Sequence, residues 1–123
     1  MDRVRFEELA EKAFESLPEL FRERIDNVQI VVEDYPSEDQ LRSVKLSSKH
    51  ELLGLYEGIP LEKRGTWYGS SPTMPDRISL FQKNIEAVCR SESEIGRKIQ
   101  EVLIHEIAHY FGMTEKEIRD AGF

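Results

Sequence analysis

Ser91-Glu92-Ser93-Glu94-Ile95-Gly96-Arg97-Lys98-Ile99-Gln100-Glu101-Val102-Leu103-Ile104-His105-Glu106-Ile107-Ala108-His109-Tyr110-Phe111-Gly112 reads as one long helix with a marked start and stop. Ser91 followed three residues later by Glu94 has the form of a capping box. Ile95, Ile99, Val102, Leu103 and Tyr110 recur at helical spacing and mark the buried face. Gly112 stands where a glycine just past a helix usually stops it.

Residues four apart on a helix share a face. His105 and His109 can therefore direct two imidazoles at one point, each about 2.0–2.1 Å from a zinc ion. Glu106 projects from the neighbouring part of that face and can approach a water on the metal without occupying the metal itself. This spacing suits metal-assisted hydrolysis, in which the cation lowers the pKa of the water and the carboxylate takes its proton. Two of the three histidines in the chain lie in this one segment.

Working outward, residues 5–16 form an amphipathic helix with Phe6, Leu9, Ala10, Ala13 and Leu17 on one side. Pro18 fits the first turn of a short second helix that buries Leu20, Phe21 and Ile25. Val28-Gln29-Ile30-Val31-Val32 is a β-branched strand, and Ser37-Glu38-Asp39-Gln40 a capping box opening one helical turn. Leu52-Leu53-Gly54-Leu55-Tyr56 is a weaker strand because of its glycine. Residues 57–75 hold three glycines and three prolines and read as a long loop. Arg77-Ile78-Ser79-Leu80-Phe81 alternates polar and apolar residues as a strand with one buried face. A short helical piece is expected near 86–89, and Thr114-Glu115-Lys116-Glu117 caps a final short helix. The order of elements predicts an α+β fold, a small mixed sheet packed against a long helix and a short C-terminal helix.

Composition narrows the function. The 123 residues suit one domain, 1–123, and the net charge of −7 is concentrated in residues 1–40, which carry twelve acids and five bases. No basic face is available for phosphates, so nucleic acid is excluded as a partner. No apolar run approaches membrane-spanning length, and the N-terminus lacks the apolar stretch of a signal peptide. Cys89 stands alone, so no internal disulfide can form and the cytoplasm is the expected location. Cys89 is expected to be a small buried residue and His50 an exposed one.

His105-Glu106-Ile107-Ala108-His109-Tyr110-Phe111-Gly112-Met113-Thr114-Glu115 resembles the active-site signature of the zincin metallopeptidases. More closely, the chain resembles the small bacterial single-domain zincin-like peptidases. Pro75-Asp76-Arg77-Ile78 and Leu53-Gly54-Leu55-Tyr56-Glu57-Gly58 are similar to segments of that family. The resemblance implies a compact zincin-like fold, a Zn²⁺ cofactor, a peptide or protein substrate, His105 and His109 as metal ligands and Glu106 as general base. It also implies a third ligand three residues after the helix-ending glycine, which is Glu115. As the first residue of a capped helix, Glu115 has an ordinary structural explanation too. Glu117 fits the capping role, and Asp120 is the next ligand candidate. Eight residues follow Glu115, too few for the methionine-containing turn of larger relatives, so a pared-down site is expected.

By the same resemblance, strand 77–81 is the edge beside the cleft, with Arg77, Ser79 and Tyr68 as substrate-contact candidates. Tyr110 is expected in the core, and Trp67 serves either substrate or loop anchoring. A zincin-fold module that binds metal or peptide without catalysis is the competing reading. The sequence leaves the oligomeric state open.

Overall fold

A computed structural model describes residues 1–25, 27–58 and 75–123. The chain runs α1 (Arg3–Glu15), α2 (Glu19–Arg22), β1 (Val28–Glu33), α3 (Glu38–Ser43), β2 (Gly54–Glu57), β3 (Asp76–Phe81), α4 (Gln82–Ala87), α5 (Glu92–Tyr110) and α6 (Glu115–Asp120). The fold is α+β, as the order of elements predicts. Among the described residues no helix is long and apolar enough to cross a membrane.

The caps that start these helices are local. Asp2 accepts from the Arg5 amide, and Ser37 and Gln40 form a reciprocal capping box. Ser91 accepts from the Glu94 amide, but the Glu94 carboxylate reaches back one residue further, accepting from the Arg90 amide at 2.9 Å. The box expected there is therefore only half formed. Pro18 is the N-cap of α2, one position earlier than its expected place in the first turn. Phe21 on α2 is fully buried while Leu20 is exposed, so a single aromatic anchors this four-residue helix.

The sheet order is β1-β3-β2, with β1 parallel and β2 antiparallel to β3. The expectation that 77–81 is an edge strand is overturned. It is central, and among the described residues β2 is the edge beside α5. Alternation in a sequence reports which side chains share a face and carries no record of the neighbouring strands. The polar face of β3 is also covered: Ser79 is fully buried, with its hydroxyl 3.4 Å from the Gln40 amide nitrogen.

On the other face, Ile78 and Leu80 pack with Phe6 and Ala10 of α1 and with Ile99, Leu103 and Ile107 of α5. Cys89 is only partly buried at the margin of this core. Helix α4 begins directly after β3, earlier than expected. Its polar residues Gln82 and Asn84 are buried, which hides its periodicity in the sequence. The Asn84 amide donates to the carbonyls of Lys49 (2.6 Å) and Leu52 (2.7 Å), fixing the chain that enters β2.

The glycine that makes β2 weak as a sequence signal is what lets it approach α5. A Cβ at Gly54 would lie 2.5 Å from Val102 Cγ1 and 3.1 Å from the Ser79 carbonyl oxygen. Gly96 on α5 is different, with nothing closer to its Cβ position than Leu9 Cδ2 at 4.0 Å. Gly54→Ala should destabilise the protein by about 1–3 kcal/mol through overpacking. Gly96→Ala should stabilise it by about 0.5–1 kcal/mol through helix propensity. Thermal or urea unfolding of both variants checks this, and a neutral Gly54→Ala would refute the close-packing account.

Candidate metal centre

The last two turns of α5 bring His105 and His109 to one face, their ring centroids 6.3 Å apart. His105 Nδ1 lies 2.9 Å from the Glu101 carbonyl oxygen one turn earlier. A carbonyl can only accept, so Nδ1 carries the hydrogen and Nε2 presents a lone pair. Such a main-chain partner fixes both tautomer and ring orientation in metal-ligating histidines.

The chain then reverses. Gly112 has φ +85°, the left-handed region that favours glycine. The Met113 amide donates to the Ala108 carbonyl and the Gly112 amide to the His109 carbonyl, closing α5 tightly. Thr114 caps α6 in a complete capping box with Glu117. Glu117 is thereby committed to the cap, as its spacing from Thr114 predicts. Glu115, first residue of α6, points back toward α5. Its Oε1 is 2.8 Å from His109 Nε2 and its Oε2 is 3.6 Å from His105 Nε2. The two explanations of Glu115 are therefore compatible, since the helix start is what aims the carboxylate. Asp120, exposed at the far end of α6, has no hydrogen bond or ion pair to either imidazole among the described residues.

These contacts test whether the group suits zinc. His105 Nε2 has a lone pair, and the carboxylate facing it has only lone pairs. A carboxylate only accepts, so a hydrogen on His109 Nε2 bridges the 2.8 Å contact to Glu115, and a metal cation would take that hydrogen's place. Two imidazole nitrogens and a carboxylate oxygen form a common zinc donor set. The carboxylate closes directly on the imidazoles, and among the described residues no three His, Cys, Asp or Glu side chains stand at ready-made metal spacing. The donor types fit zinc, and His105, His109 and Glu115 are the residues that would hold it.

Glu106 lies beside the pair. Its Oε1 accepts from the Tyr56 amide of β2 at 3.1 Å, which ties the edge strand to the helix. Burial pushes its carboxyl above the usual carboxylate range, opposed by the Tyr56 amide and then by His109 and His105. Its Oε2 has no hydrogen-bond partner among the described residues.

The substrate-contact candidates are placed elsewhere. Arg77 and Ser79 lie on the face of β3 opposite Ile78 and Leu80, which pack toward α5. The Arg77 guanidinium bonds Glu57 at 3.1 Å, and Gln40 bonds the same carboxylate at 3.0 Å. The sheet thus separates Arg77 and Ser79 from the histidines. Tyr68 and Trp67 lie outside the described residues.

Tyr110 is not in the core as expected. It is 46% exposed, and its ring stacks on Tyr56 with centroids 4.0 Å apart. Its hydroxyl occupies the space a Cβ at Gly58 would need. His50 is exposed as expected and meets Tyr35 edge-on. Two contributors were missed from sequence. Tyr56 supplies the amide that holds Glu106, and Asp76 accepts from the Tyr56 hydroxyl at 2.8 Å. Both lie in the segments similar to the zincin-like family, which is the one signal that marked them.

An acid whose folded-state pKa lies above its unfolded value favours folding below the unfolded pKa. That contribution disappears as pH rises through the folded pKa. Glu106→Gln removes the charge and keeps an acceptor for Tyr56. In chelator, the variant should exceed the wild type in Tm near about pH 8 and converge with it near about pH 4. A difference independent of pH would refute the burial of an ionisable Glu106.

A comparison with curated proteins finds no match. Residues 25–122 match the family described as zincin-like metallopeptidase. The match covers well over half of the chain and includes β2, β3, both histidines, Glu106 and Glu115. The fold, the convergent donor set and this match together make the chain a member of the zincin-like metallopeptidase family.

Proposed function

We propose that the chain, as one domain spanning 1–123, is a zinc-dependent peptidase that hydrolyses peptide bonds. His105, His109 and Glu115 hold the metal, and Glu106 is the general base. The observation that carries this reading is the approach of the Glu115 carboxylate to two histidine nitrogens, beside a half-buried carboxylate with an oxygen unpartnered among the described residues. Family membership supports the reaction class.

Zinc at this position supplies Lewis acidity, lowering the pKa of a water and polarising the scissile carbonyl. The protein's own groups do the rest. The Glu101 carbonyl keeps the hydrogen of His105 on Nδ1 and leaves Nε2 for the metal. The Tyr56 amide holds Glu106 by Oε1 and leaves Oε2 to take a proton from water and deliver it to the leaving amine. Partial burial raises the proton affinity of that carboxylate toward what a base working near neutrality needs. Strand β2, the edge nearest α5 among the described residues, runs alongside the centre and would offer backbone for an extended peptide.

Elemental analysis of protein purified without metal-affinity steps should find about one zinc per chain. His109→Ala should lose it. Glu115→Ala should weaken zinc affinity by more than about 100-fold, beyond the range typical of an outer partner, while Asp120→Asn leaves it unchanged. A zinc-replete Glu115→Ala protein would remove Glu115 from the ligand set.

Glu106→Gln should retain zinc and lose at least about 100-fold in turnover of an unstructured protein substrate. Undiminished turnover would reject Glu106 as the base. Full zinc occupancy with no turnover by the wild type would favour the competing reading, a zincin-fold module that binds without catalysis.

A further inference from the structure

A cleft of about 670 Å³ opens beside the metal centre, walled by α5, α6 and the chain entering α2. His105 and Glu115 form one side of it. Ile104 and Phe123 contribute apolar wall, and Phe123 is held edge-on against the buried ring of Phe21 at 5.2 Å. Arg97 of α5 and Arg119 of α6 line the same space. Its volume lies within the range of ordinary ligand pockets.

In a protein with 24 acids against 17 Lys and Arg, the side chains of Arg3, Arg5, Arg42, Arg77 and Lys98 each pair with a carboxylate. Arg97 and Arg119 have no hydrogen-bond or ion-pair partner among the described residues. The acids that share the cleft are already engaged. Glu101 pairs with Lys98 at 3.2 Å, and Glu115 faces the two imidazoles. Two uncompensated cations therefore border an apolar-walled cleft whose inner side is the metal centre. Guanidinium groups bind carboxylates through paired, charge-assisted hydrogen bonds.

We propose that this cleft is a carboxylate subsite, so that the enzyme selects peptides with a negative charge adjoining the scissile bond. Either an acidic side chain or a free C-terminal carboxylate supplies that chemistry. The placement beside the scissile bond rests on the peptidase reading above. The guanidinium recognition does not.

The test uses zinc-loaded Glu106→Gln protein, which holds peptides without cleaving them, and three fluorescein-labelled alanine pentapeptides. One has a central glutamate and an amidated C-terminus, the second a central glutamine and an amidated C-terminus, the third a central glutamine and a free C-terminus. Fluorescence anisotropy should show one or both charged peptides binding about tenfold more tightly than the neutral one. Preference for the first assigns the subsite to an acidic side chain, and preference for the third assigns it to the chain terminus. The preference should shrink in about 0.5 M salt, because both cations are solvent-facing. It should vanish when Arg97→Gln and Arg119→Gln are added, and persist when Lys12→Gln removes a charge from α1 outside the cleft.

Equal binding of all three peptides, or a preference that survives the double substitution, overturns the proposal. Turnover by the wild type separates the two readings. Cleavage without charge preference would discard the subsite and keep the peptidase. Charge-dependent binding lost in the double variant, with no cleavage by zinc-replete wild type, would keep the subsite and discard the peptidase.

Discussion

Strand β2 can lie against α5 only because residue 54 has no Cβ, and the geometry of the site follows from that approach. With Val102 packed where a side chain would stand, the strand comes close enough for the Tyr56 amide to reach Glu106. The same approach stacks the Tyr56 ring on Tyr110 and lets its hydroxyl bond Asp76 at the start of β3. An edge strand normally leaves its outward amides to solvent. Here one of them is used to hold a carboxylate beside the two histidines. Backbone packing and the orientation of the reacting group are thus one constraint.

Helix α5 divides its circumference between two tasks. Ile95, Ile99, Leu103 and Ile107 descend one side into the core against α1 and the sheet. Glu101, His105 and His109 descend the other, where the Glu101 carbonyl and the left-handed turn at Gly112 set up the donors. Because the core face is fully buried, the rotation of the helix about its axis is strongly determined, and so is the direction of the imidazoles. A shift of one residue would bury a histidine and expose an isoleucine, at a cost of several kcal/mol. Rigid support of this kind keeps a ligand set aimed at one point.

The reversal after α5 shows how few residues suffice to bring a third donor to the pair. Gly112 turns the chain, Met113 packs back on the core, and Thr114 with Glu117 fixes the first turn of α6. Glu115 is aimed by these neighbours without any long-range partner of its own beyond the imidazoles. The two arginines of the adjoining cleft come from different helices, α5 and α6, so that cleft too exists only because the reversal holds.

Much of this was legible before any coordinates. The caps, the stop at Gly112, the apolar stripe of α5 and the i, i+4 histidines follow from local rules of spacing and hydrogen bonding, which operate within a few residues. Buried polar residues blurred α4, because Asn84 and Gln82 are satisfied by distant carbonyls that no local pattern reveals. The alternation of Arg77, Ser79 and Phe81 correctly indicated a strand, yet it could not say that β1 and β2 flank it or that α3 covers its polar face. Tyr110 kept helical spacing with the core and still ended half exposed, because β2 offered it a ring to stack on. The sequence by itself therefore determined the elements, their caps and the residue types able to hold a metal, since each depends on neighbours close along the chain. Only the tertiary structure decided which strand is the edge, which amide holds Glu106 and which cations border the cleft. Those depend on segments tens of residues apart that meet only when the core packs.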